Sequence, residues 1–353
     1  MIMNKNAIDS NNPVWVLIDK LNTKSGITEI AINGPDDVFI EKEGLFVAVD
    51  VKITQKSINE FVQQVSVFNQ KDIDENSPLF NGNLPDGSRI NIVTAPLRLE
   101  GPAITIRRFL KNIQSFDTRK GIFGLSPEWV SFLKAAMKAK FNIMVSGGTG
   151  VGKTTFLNLL LQEAEKYERK VIIEDVRELN IQMPNTIRME SSQLNNGKNI
   201  TIRELLKNSL RMRPDRLVIG EVRGEEIFDL LQAMNTGHDG CIASVHANTP
   251  RECLMRMESL YLLSGYEVPF QVIRQQIGRS IDLIIQLKRN RNGLRVVSHI
   301  TEVTDISGDQ VLMQDLGTLN KDLNYIVSTK FMPKKIEKLE KHGFNRALFQ
   351  TGF

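Results

Sequence analysis

Apolar residues recur three and four positions apart in two early segments of the chain, 14–21 and 58–68. This spacing predicts two amphipathic helices. Between them, apolar residues at 29–32 and 38–40 flank an Asn-Gly-Pro turn, which predicts two strands, and Gly44 opens another. Helical and strand patterns mixed over so short a stretch indicate a small α+β domain.

The same domain is expected to hold two more strands, at 88–94 and 103–109, joined by a connection that contains proline and glycine. A polar segment with few apolar residues follows, and it includes Gly121 and Gly124. Such a composition is typical of a linker between domains. We therefore predict an N-terminal α+β domain over 1–112, a linker over 113–124 and a second domain over 125–353.

Strands and helices alternate in the second domain. A helix is predicted from Pro127 to about residue 140, because Ser126 can cap it and proline suits the first helical position. The predicted strands that follow are 141–145, 171–173, 217–220 and 241–245, with a helix at 155–161 after the first. This alternation predicts an α/β fold with a parallel sheet covered on both faces.

Composition agrees with two globular domains. The chain has 353 residues, of which 41% are apolar and 24% charged. Its two cysteines, Cys241 and Cys253, are too few for a disulfide framework or a four-thiolate metal site, so reduced, cytosolic thiols are expected. Since the first 12 residues are polar and no run approaches ~18 apolar residues, we expect a soluble protein that is not exported.

Charge gives no argument for nucleic-acid binding. The formal net charge is +4 and is spread along the chain. A segment rich in lysine at 330–341 is interpreted as the solvated face of a C-terminal helix.

One stretch of eight residues carries specific chemistry. It fits G-x-x-x-x-G-K-[ST] without a mismatch and consists of Gly147, Gly148, Thr149, Gly150, Val151, Gly152, Lys153 and Thr154. In this phosphate-binding loop, backbone N–H groups surround phosphate oxygens, Lys153 reaches the β/γ-phosphates and the Thr154 hydroxyl can bind Mg²⁺. Thr155 continues into the helix whose dipole adds to the attraction. The expected cofactors are ATP and Mg²⁺, because no N-K-x-D element for reading guanine is present.

Carboxylates follow two of the predicted strands. Glu174 and Asp175 come directly after 171–173, and Glu221 follows 217–220. Ligands of open α/β sheets bind at this edge, where a carboxylate can orient Mg²⁺ or activate water. A helix cap or salt bridge remains an alternative, above all for Asp175. Two of the four histidines, His238 and His246, flank the strand 241–245, and each could instead be purely structural.

These segments together resemble the motifs of secretion ATPases. Segment 174–179 resembles the Asp box, 213–223 the atypical Walker B motif and 236–248 the His box of enzymes that power type II and type IV secretion and type IV pili. Within that superfamily, 210–216 and 233–240 resemble most the CpaF-type motors of tight-adherence (Flp) pili. The resemblance implies a RecA-like P-loop NTPase domain preceded by a small α+β domain.

The resemblance also implies roles for the carboxylates and histidines. Gly220 stands where many P-loop proteins have a metal-binding aspartate, so Glu221 takes the metal-side role together with Thr154. Glu174 is then the general base. His246 resembles the γ-phosphate sensor, and His238 is expected to stabilise the His box or a subunit contact.

In similar motors, arginines of the N-terminal domain touch the γ-phosphate. The resemblance nominates Arg89 and Arg107, with Arg108 as a further candidate. A guanidinium offsets charge on the phosphate oxygens and can be worth 10³ or more in rate. A surface salt bridge is the alternative for each arginine.

The resemblance predicts a homohexameric ATP hydrolase that powers assembly of Flp or related pili at the cytoplasmic face of the inner membrane. Its expected partners are inner-membrane platform proteins, through which it associates peripherally with the membrane, and no direct nucleic-acid binding is expected. Three alternatives stay open: a type IV secretion ATPase for conjugation or effector export, a nucleotide-gated assembly scaffold, and a small-molecule P-loop kinase.

Overall fold

The computed structural model describes residues 9–24, 26–42, 45–108, 115–118, 121–193, 199–320 and 325–352. The chain forms two compact units, Met1–Asn112 and Ile113–Phe353. Each unit has hydrophobic core residues of its own.

The first unit is built from two helices and six strands in the part that is described. They are α1 (Pro13–Asn22), β1 (Ile27–Gly34), β2 (Asp37–Lys42), β3 (Leu45–Ala48), α2 (Gln55–Asn69), β4 (Leu79–Asn83), β5 (Arg89–Val93) and β6 (Ala103–Arg107). The strands form one antiparallel sheet in the order β3-β2-β1-β6-β5-β4. Alternating isoleucines of β1, β5 and β6 are buried in one core with the apolar faces of α1 and α2.

Both helices of this unit start at side-chain caps. The Asn12 side chain accepts a hydrogen bond from the Val14 N–H, and Thr54 and Ser57 cap each other's backbone N–H groups. The helices predicted at 14–21 and 58–68, and the strands predicted over this unit, are confirmed within a few residues. Gly44 and residue 109 lie outside the described residues.

The second unit contains the remaining elements. They are α3 (Pro127–Lys138), β7 (Ile143–Gly147), α4 (Lys153–Gln162), β8 (Lys170–Glu174), β9 (Thr186–Glu190), β10 (Ser192–Gln193), β11 (Asn199–Ile200), α5 (Ile202–Ser209), β12 (Arg216–Val222), α6 (Glu226–Asn235), β13 (Ile242–Val245), α7 (Pro250–Leu262), α8 (Phe270–Ser280), β14 (Leu283–Arg289), β15 (Arg295–Ser307), β16 (Gln310–Asn320), β17 (Tyr325–Ser328), α9 (Ile336–Glu340) and α10 (Ala347–Thr351). In the described parts of the chain, every helix falls short of the length and hydrophobicity needed to span a membrane.

A nine-stranded sheet of order β17-β16-β15-β14-β7-β13-β12-β8-β9 forms the centre of this unit. The strands from β14 to β9 in that order are parallel, and they include β7, β13, β12 and β8, the four strands for which the sequence predicted a parallel sheet. The sequence did not predict that β15, β16 and β17 extend the sheet in antiparallel fashion. The described connections, residues 290–294 between β14 and β15 and residues 308–309 between β15 and β16, are short turns without a helix, and such turns permit only antiparallel neighbours.

Both faces of the sheet are covered. Alternate residues of the central strands enter different cores: Ile143 and Val145 of β7 lie in one, and Met144 between them lies in the other. All five residues of β7 and of β8 are buried. The second unit is therefore the predicted mixed α/β fold with helices on each side.

The segment predicted as a linker contributes to the core of the second unit where it is described. Residues 115–118 and 121–124 contain short 3₁₀ turns, and the rings of Phe116 and Phe123 pack edge-on against Phe156, with centroids 5.8 and 5.1 Å away. Residues 113, 114, 119 and 120 lie outside the described residues.

The C-terminal tail differs from the expected solvated helix. Within the segment 330–341 the helical part is the five residues of α9, and Ile336 and Leu339 on that helix are buried. Farther on, Phe344 and Phe349 pack against Phe132 of α3 with ring centroids 5.5 and 5.9 Å from it. The tail is thus held on the α/β unit by apolar burial, which its lysine-rich composition concealed.

Candidate functional site

The eight-residue loop joins β7 to α4 at the carboxyl edge of the parallel strands. A Cβ placed on Gly147 would lie 2.5 Å from Cγ2 of Val151 and 3.0 Å from the carbonyl oxygen of Leu287, so only glycine fits. Gly152 has a φ of +96°, a left-handed conformation that favours glycine, and it caps α4. The other predicted loop residues lie in the same turn or the first turn of α4: Gly148, Thr149, Gly150, Lys153, Thr154 and Thr155.

Lys153 lies over the beginning of this loop. Its Nζ donates to the carbonyl oxygens of Gly147 at 2.9 Å and Gly148 at 3.1 Å. The ammonium also lies 3.6 Å from Oε1 of Glu221 at the end of β12. The ammonium of Lys153 is therefore held between the backbone of the loop and the carboxylate of Glu221.

Thr154 reaches a carboxylate that the sequence analysis did not select. Its Oγ1 donates to Oε2 of Glu178 at 2.7 Å. The only signal for Glu178 in the sequence is its position inside the segment 174–179 that resembles the Asp box. The structure thus adds a second acidic side chain beside the threonine of the loop.

Glu174 ends β8 and is 4% exposed. Its Oε1 accepts hydrogen bonds from the backbone N–H groups of Glu178 and Leu179, both at 2.9 Å. Burial raises the pKa of Glu174 from 4.5 to about 7; the two hydrogen bonds oppose this shift, and the charges of Glu178 and Glu190 add to it. A carboxyl group with a pKa near neutrality can accept a proton during catalysis at physiological pH.

Glu221 lies on β12, the strand that pairs with β8, on which Glu174 lies. Its Oε2 accepts from Nε of Arg223 at 2.7 Å, and the guanidinium of Arg223 also lies 3.7 Å from Oδ2 of Asp175. The preceding carbonyl, that of Gly220, accepts a hydrogen bond from the Ser244 hydroxyl on β13 at 2.6 Å. The ends of β8, β12 and β13 are therefore joined by polar contacts beside the loop.

The oxygen donors beside the loop fit Mg²⁺. In the described ranges no three or more His, Cys, Asp or Glu side chains come together in a group that could hold a metal ion. Mg²⁺ in phosphate sites needs no such cage, because it takes one or two protein oxygens, phosphate oxygens and water. The hydroxyl of Thr154 and the carboxylates of Glu178 and Glu221 are donors of that kind.

His246 is exposed at the carboxyl end of β13. The carbonyl oxygen of the next residue, Ala247, accepts hydrogen bonds from Nε2 of Gln286 at 3.1 Å and from the Ser146 hydroxyl at 3.4 Å. A Cβ on Gly148 would lie 3.9 Å from Oδ1 of Asn248. The His246 segment therefore runs beside the loop, and Gln286, 1% exposed, is a positioning residue that the sequence analysis missed.

His238 lies at the opposite edge of the sheet. Its Nδ1 is 3.3 Å from the carbonyl oxygen of Ala233, and its own carbonyl accepts from the thiol of Cys241. Cys241 in turn contacts Asn142, at the amino end of the strand that leads to the loop. Because β13 separates it from the loop, a direct catalytic role for His238 is not supported by its position, whereas a role in supporting the turn is.

The three predicted arginines lie in the first unit. Arg89 and Arg107 are directly opposite each other on β5 and β6, and Arg107 is exposed. Arg108 is engaged differently, since its guanidinium donates to the backbone carbonyls of Asn22 at 3.0 Å and of Lys24 and Ile27 at 3.2 Å. Arg108 thus ties the α1–β1 connection to β6, while its role as a phosphate contact stays a prediction.

Comparisons with known proteins show which family the chain belongs to. A family described as "Type II/IV secretion system protein" matches residues 11–318. The conjugal transfer protein TrbB of Rhizobium radiobacter is 33% identical over 279 residues, which are 78% of this chain and 84% of that protein. The type IV secretion system protein VirB11 of Brucella suis biovar 1 is 29% identical over 313 residues, 78% of this chain and 85% of the relative.

Solved structures share the fold. The pilus retraction motor PilT with bound ADP has a TM-score of 0.59 at 17% identity, covering 95% of this chain and 91% of that chain. The Legionella pneumophila ATPase DotB has a TM-score of 0.58 at 17% identity, covering 96% and 88%. From the family match and the TrbB relative, the chain belongs to the type II/IV secretion system ATPase family.

Proposed function

We propose that this member of the secretion ATPase family is an ATP-hydrolysing motor of a type IV secretion machine, of the kind that serves conjugation or effector export. The observation that carries the enzymatic part is the buried carboxyl of Glu174, held by two backbone N–H groups at the edge of the sheet where Lys153 and Thr154 lie. The relatives named for conjugal transfer and type IV secretion support the cargo class.

The tight-adherence (Flp) pilus is the second candidate. Segments 210–216 and 233–240 resemble those of CpaF-type motors and favour it. The names of the relatives favour type IV secretion over it, so the pilus reading takes second place.

In the proposed reaction the loop N–H groups and Lys153 bind the phosphates of ATP, and Glu174 takes a proton from the water that attacks the γ-phosphate. Mg²⁺, when bound, neutralises charge on the phosphate oxygens, and Thr154, Glu178 and Glu221 would hold it directly or through water. The exposed imidazole of His246 is proposed as the sensor of the terminal phosphate.

Arg89 and Arg107 are proposed to offset charge on the γ-phosphate. The two guanidinium groups are carried by directly opposite positions of β5 and β6, and Glu29 on β1 is opposite Arg107 on its other side. Phosphate is an anion that arginine binds in bidentate fashion. This supports a phosphate contact for the pair.

The working form is proposed to be a ring of six subunits at the cytoplasmic face of the inner membrane, attached there through membrane platform proteins and without nucleic-acid contacts of its own. Sedimentation should detect a sixfold species that ATP or a non-hydrolysable analogue promotes. A monomer with full specific activity would contradict the ring.

The cargo is tested in the host organism. A deletion strain is complemented with the wild-type gene or with Lys153→Ala, and both DNA or effector transfer and surface pili are measured. Loss of transfer with intact pili, restored only by the wild type, supports type IV secretion. Loss of pili with intact transfer would overturn it in favour of the pilus, and no change in either would reject the secretion role.

A further inference from the structure

The hairpin formed by β14 and β15 extends past the phosphate-binding loop. Strand β14 runs parallel to β7, and Leu287 is opposite Gly147, the first loop residue. Whereas β7 ends there, β14 continues through Lys288 to Arg289. The side chains at the end of β14 therefore lie at the ligand edge of the sheet, level with the loop.

Two arginines of this hairpin approach the middle of the loop. Nη2 of Arg289 lies 3.7 Å from where a Cβ on Gly150 would be, and Cδ of Arg295 lies 3.1 Å from the corresponding position on Gly152. Both side chains are half-buried. The loop glycines and the two arginines thus form one surface within a single subunit.

The hairpin tip is fixed rather than loosely extended. The backbone N–H groups of Asn292 and Leu294 both donate to Oδ1 of Asn290, at 3.0 and 2.9 Å, and Asn290 N–H donates to the Leu294 carbonyl. Nη1 of Arg289 donates to the carbonyl of Gly293 at 3.1 Å. One nitrogen of the Arg289 guanidinium is therefore bound to the backbone of the hairpin's own turn.

Arg289 and Arg295 are directly opposite each other on β14 and β15, so the hairpin places two positively charged residues side by side next to the loop. Positive charge collected at one place in this way attracts anions such as phosphate groups.

We propose that Arg289, with Arg295 beside it, is a nucleotide-binding residue that contacts the α/β-phosphates from within the same subunit; this rests on the proposed binding of ATP to the loop. Gly150 and Gly152 lie in the part of a P-loop that surrounds those phosphates, whereas Lys153 reaches the terminal ones. Because ADP and ATP share the α/β-phosphates, the contact contributes to the affinity for both.

The test measures the dissociation constants of ADP and ATP by calorimetry on the full chain. Arg289→Gln should weaken both by about 10-fold or more, and by similar factors, because a charge-assisted hydrogen bond is lost. Arg289→Lys should retain part of the affinity. The matched control is Arg291→Gln, which removes the same charge from an exposed position at the tip of the same hairpin and should change neither constant more than about twofold.

The inference would be overturned if Arg289→Gln and Arg291→Gln changed the two dissociation constants equally, or if Arg289→Gln weakened the binding of ATP but not of ADP. Thermal unfolding of each variant checks that the hairpin still folds. Failure of the proposed function gives a different result: wild-type protein that binds neither nucleotide would reject ATP binding itself. Normal wild-type binding with an unaffected Arg289→Gln variant rejects only the arginine contact.

Discussion

Gly220 leaves the space in which the side chain of Glu174 lies: a Cβ placed on Gly220 would be 2.9 Å from Cγ of Glu174. The two residues are neighbours because Ile219 on β12 pairs with Ile173 on β8. Many P-loop proteins have a metal-binding aspartate at the position of Gly220. Here a larger side chain at that position would displace the carboxyl that we propose as the general base.

Gly220→Ala is therefore expected to lower kcat about 10-fold or more with little change in ATP affinity. The added methyl group meets Cγ of Glu174, whose carboxylate is fixed by two backbone N–H groups and cannot move away freely. Steady-state phosphate release measures the effect. Gly34→Ala is the control, since nothing lies within 4 Å of its Cβ position; equal rates for both variants would refute the steric argument.

Lys153→Ala should abolish turnover and weaken ATP binding at least about 10-fold, because the ammonium that meets the terminal phosphates is removed. Phosphate release measures turnover, and titration with a fluorescent nucleotide measures ATP binding. Lys166→Ala, which removes the same charge from an exposed position after α4, should behave like the wild type. Retention of ATP binding in both variants would place the nucleotide elsewhere.

The pKa of Glu174 predicts a pH-dependent rate. With a pKa of about 7, roughly a tenth of the carboxyl groups are ionised at pH 6 and roughly nine-tenths at pH 8. Since only the carboxylate can take a proton from water, kcat should rise about 10-fold over this range. A kcat profile that is flat between pH 6 and 8 would exclude a base with this pKa.

The raised pKa of Glu174 also makes the free energy of unfolding depend on pH. The direction of this dependence is opposite to that of an ordinary paired carboxylate. Because burial raises the pKa of Glu174 above its usual 4.5, the folded protein binds more protons than the unfolded chain between about pH 4.5 and 7. Stability contributed by this group falls as pH rises through that window, by at most about 3 kcal/mol. Glu174→Gln should remove this component from the pH dependence of Tm, whereas Glu165→Gln, at an exposed site, should not.

Arg107 and Arg108 should separate function from stability. Arg108→Ala removes three hydrogen bonds to backbone carbonyls and should destabilise the first unit by about 1–3 kcal/mol. Arg107→Ala, at an exposed position, should leave Tm unchanged but slow ATP hydrolysis. Calorimetric unfolding and phosphate release distinguish them, and unchanged hydrolysis in Arg107→Ala would remove it from the reaction.

The sequence predicted the parts of the site that follow from local pattern. The loop motif and the β-branched runs before Glu174 and Glu221 identify strands that end at one edge of a parallel sheet. Contacts between distant segments were not predictable. Gln286 reaches Ala247 only because β14 adds to the sheet beside β7, and Glu178 reaches Thr154 only because the chain turns back after β8.

The C-terminal half of the sheet shows the same limit. The sequence analysis assigned no strands to β14–β17, so neither the antiparallel extension nor the placement of Arg289 beside Gly150 was expected. Pairing partners there are set by tertiary register, which a single sequence does not contain. The tail was misread for a related reason, since its lysines conceal the buried Ile336 and Leu339.

The most direct test of the account is ATP binding and turnover measured side by side in Glu174→Gln, with Asp175→Asn as the neighbouring control. The proposed general base predicts an ATP dissociation constant close to that of the wild type and a kcat lowered about 100-fold or more, because only the proton acceptor is lost. Asp175→Asn, whose side chain is exposed, should keep most of the activity. A Glu174→Gln enzyme that turns over ATP at the wild-type rate would contradict the account and move the base to Glu221.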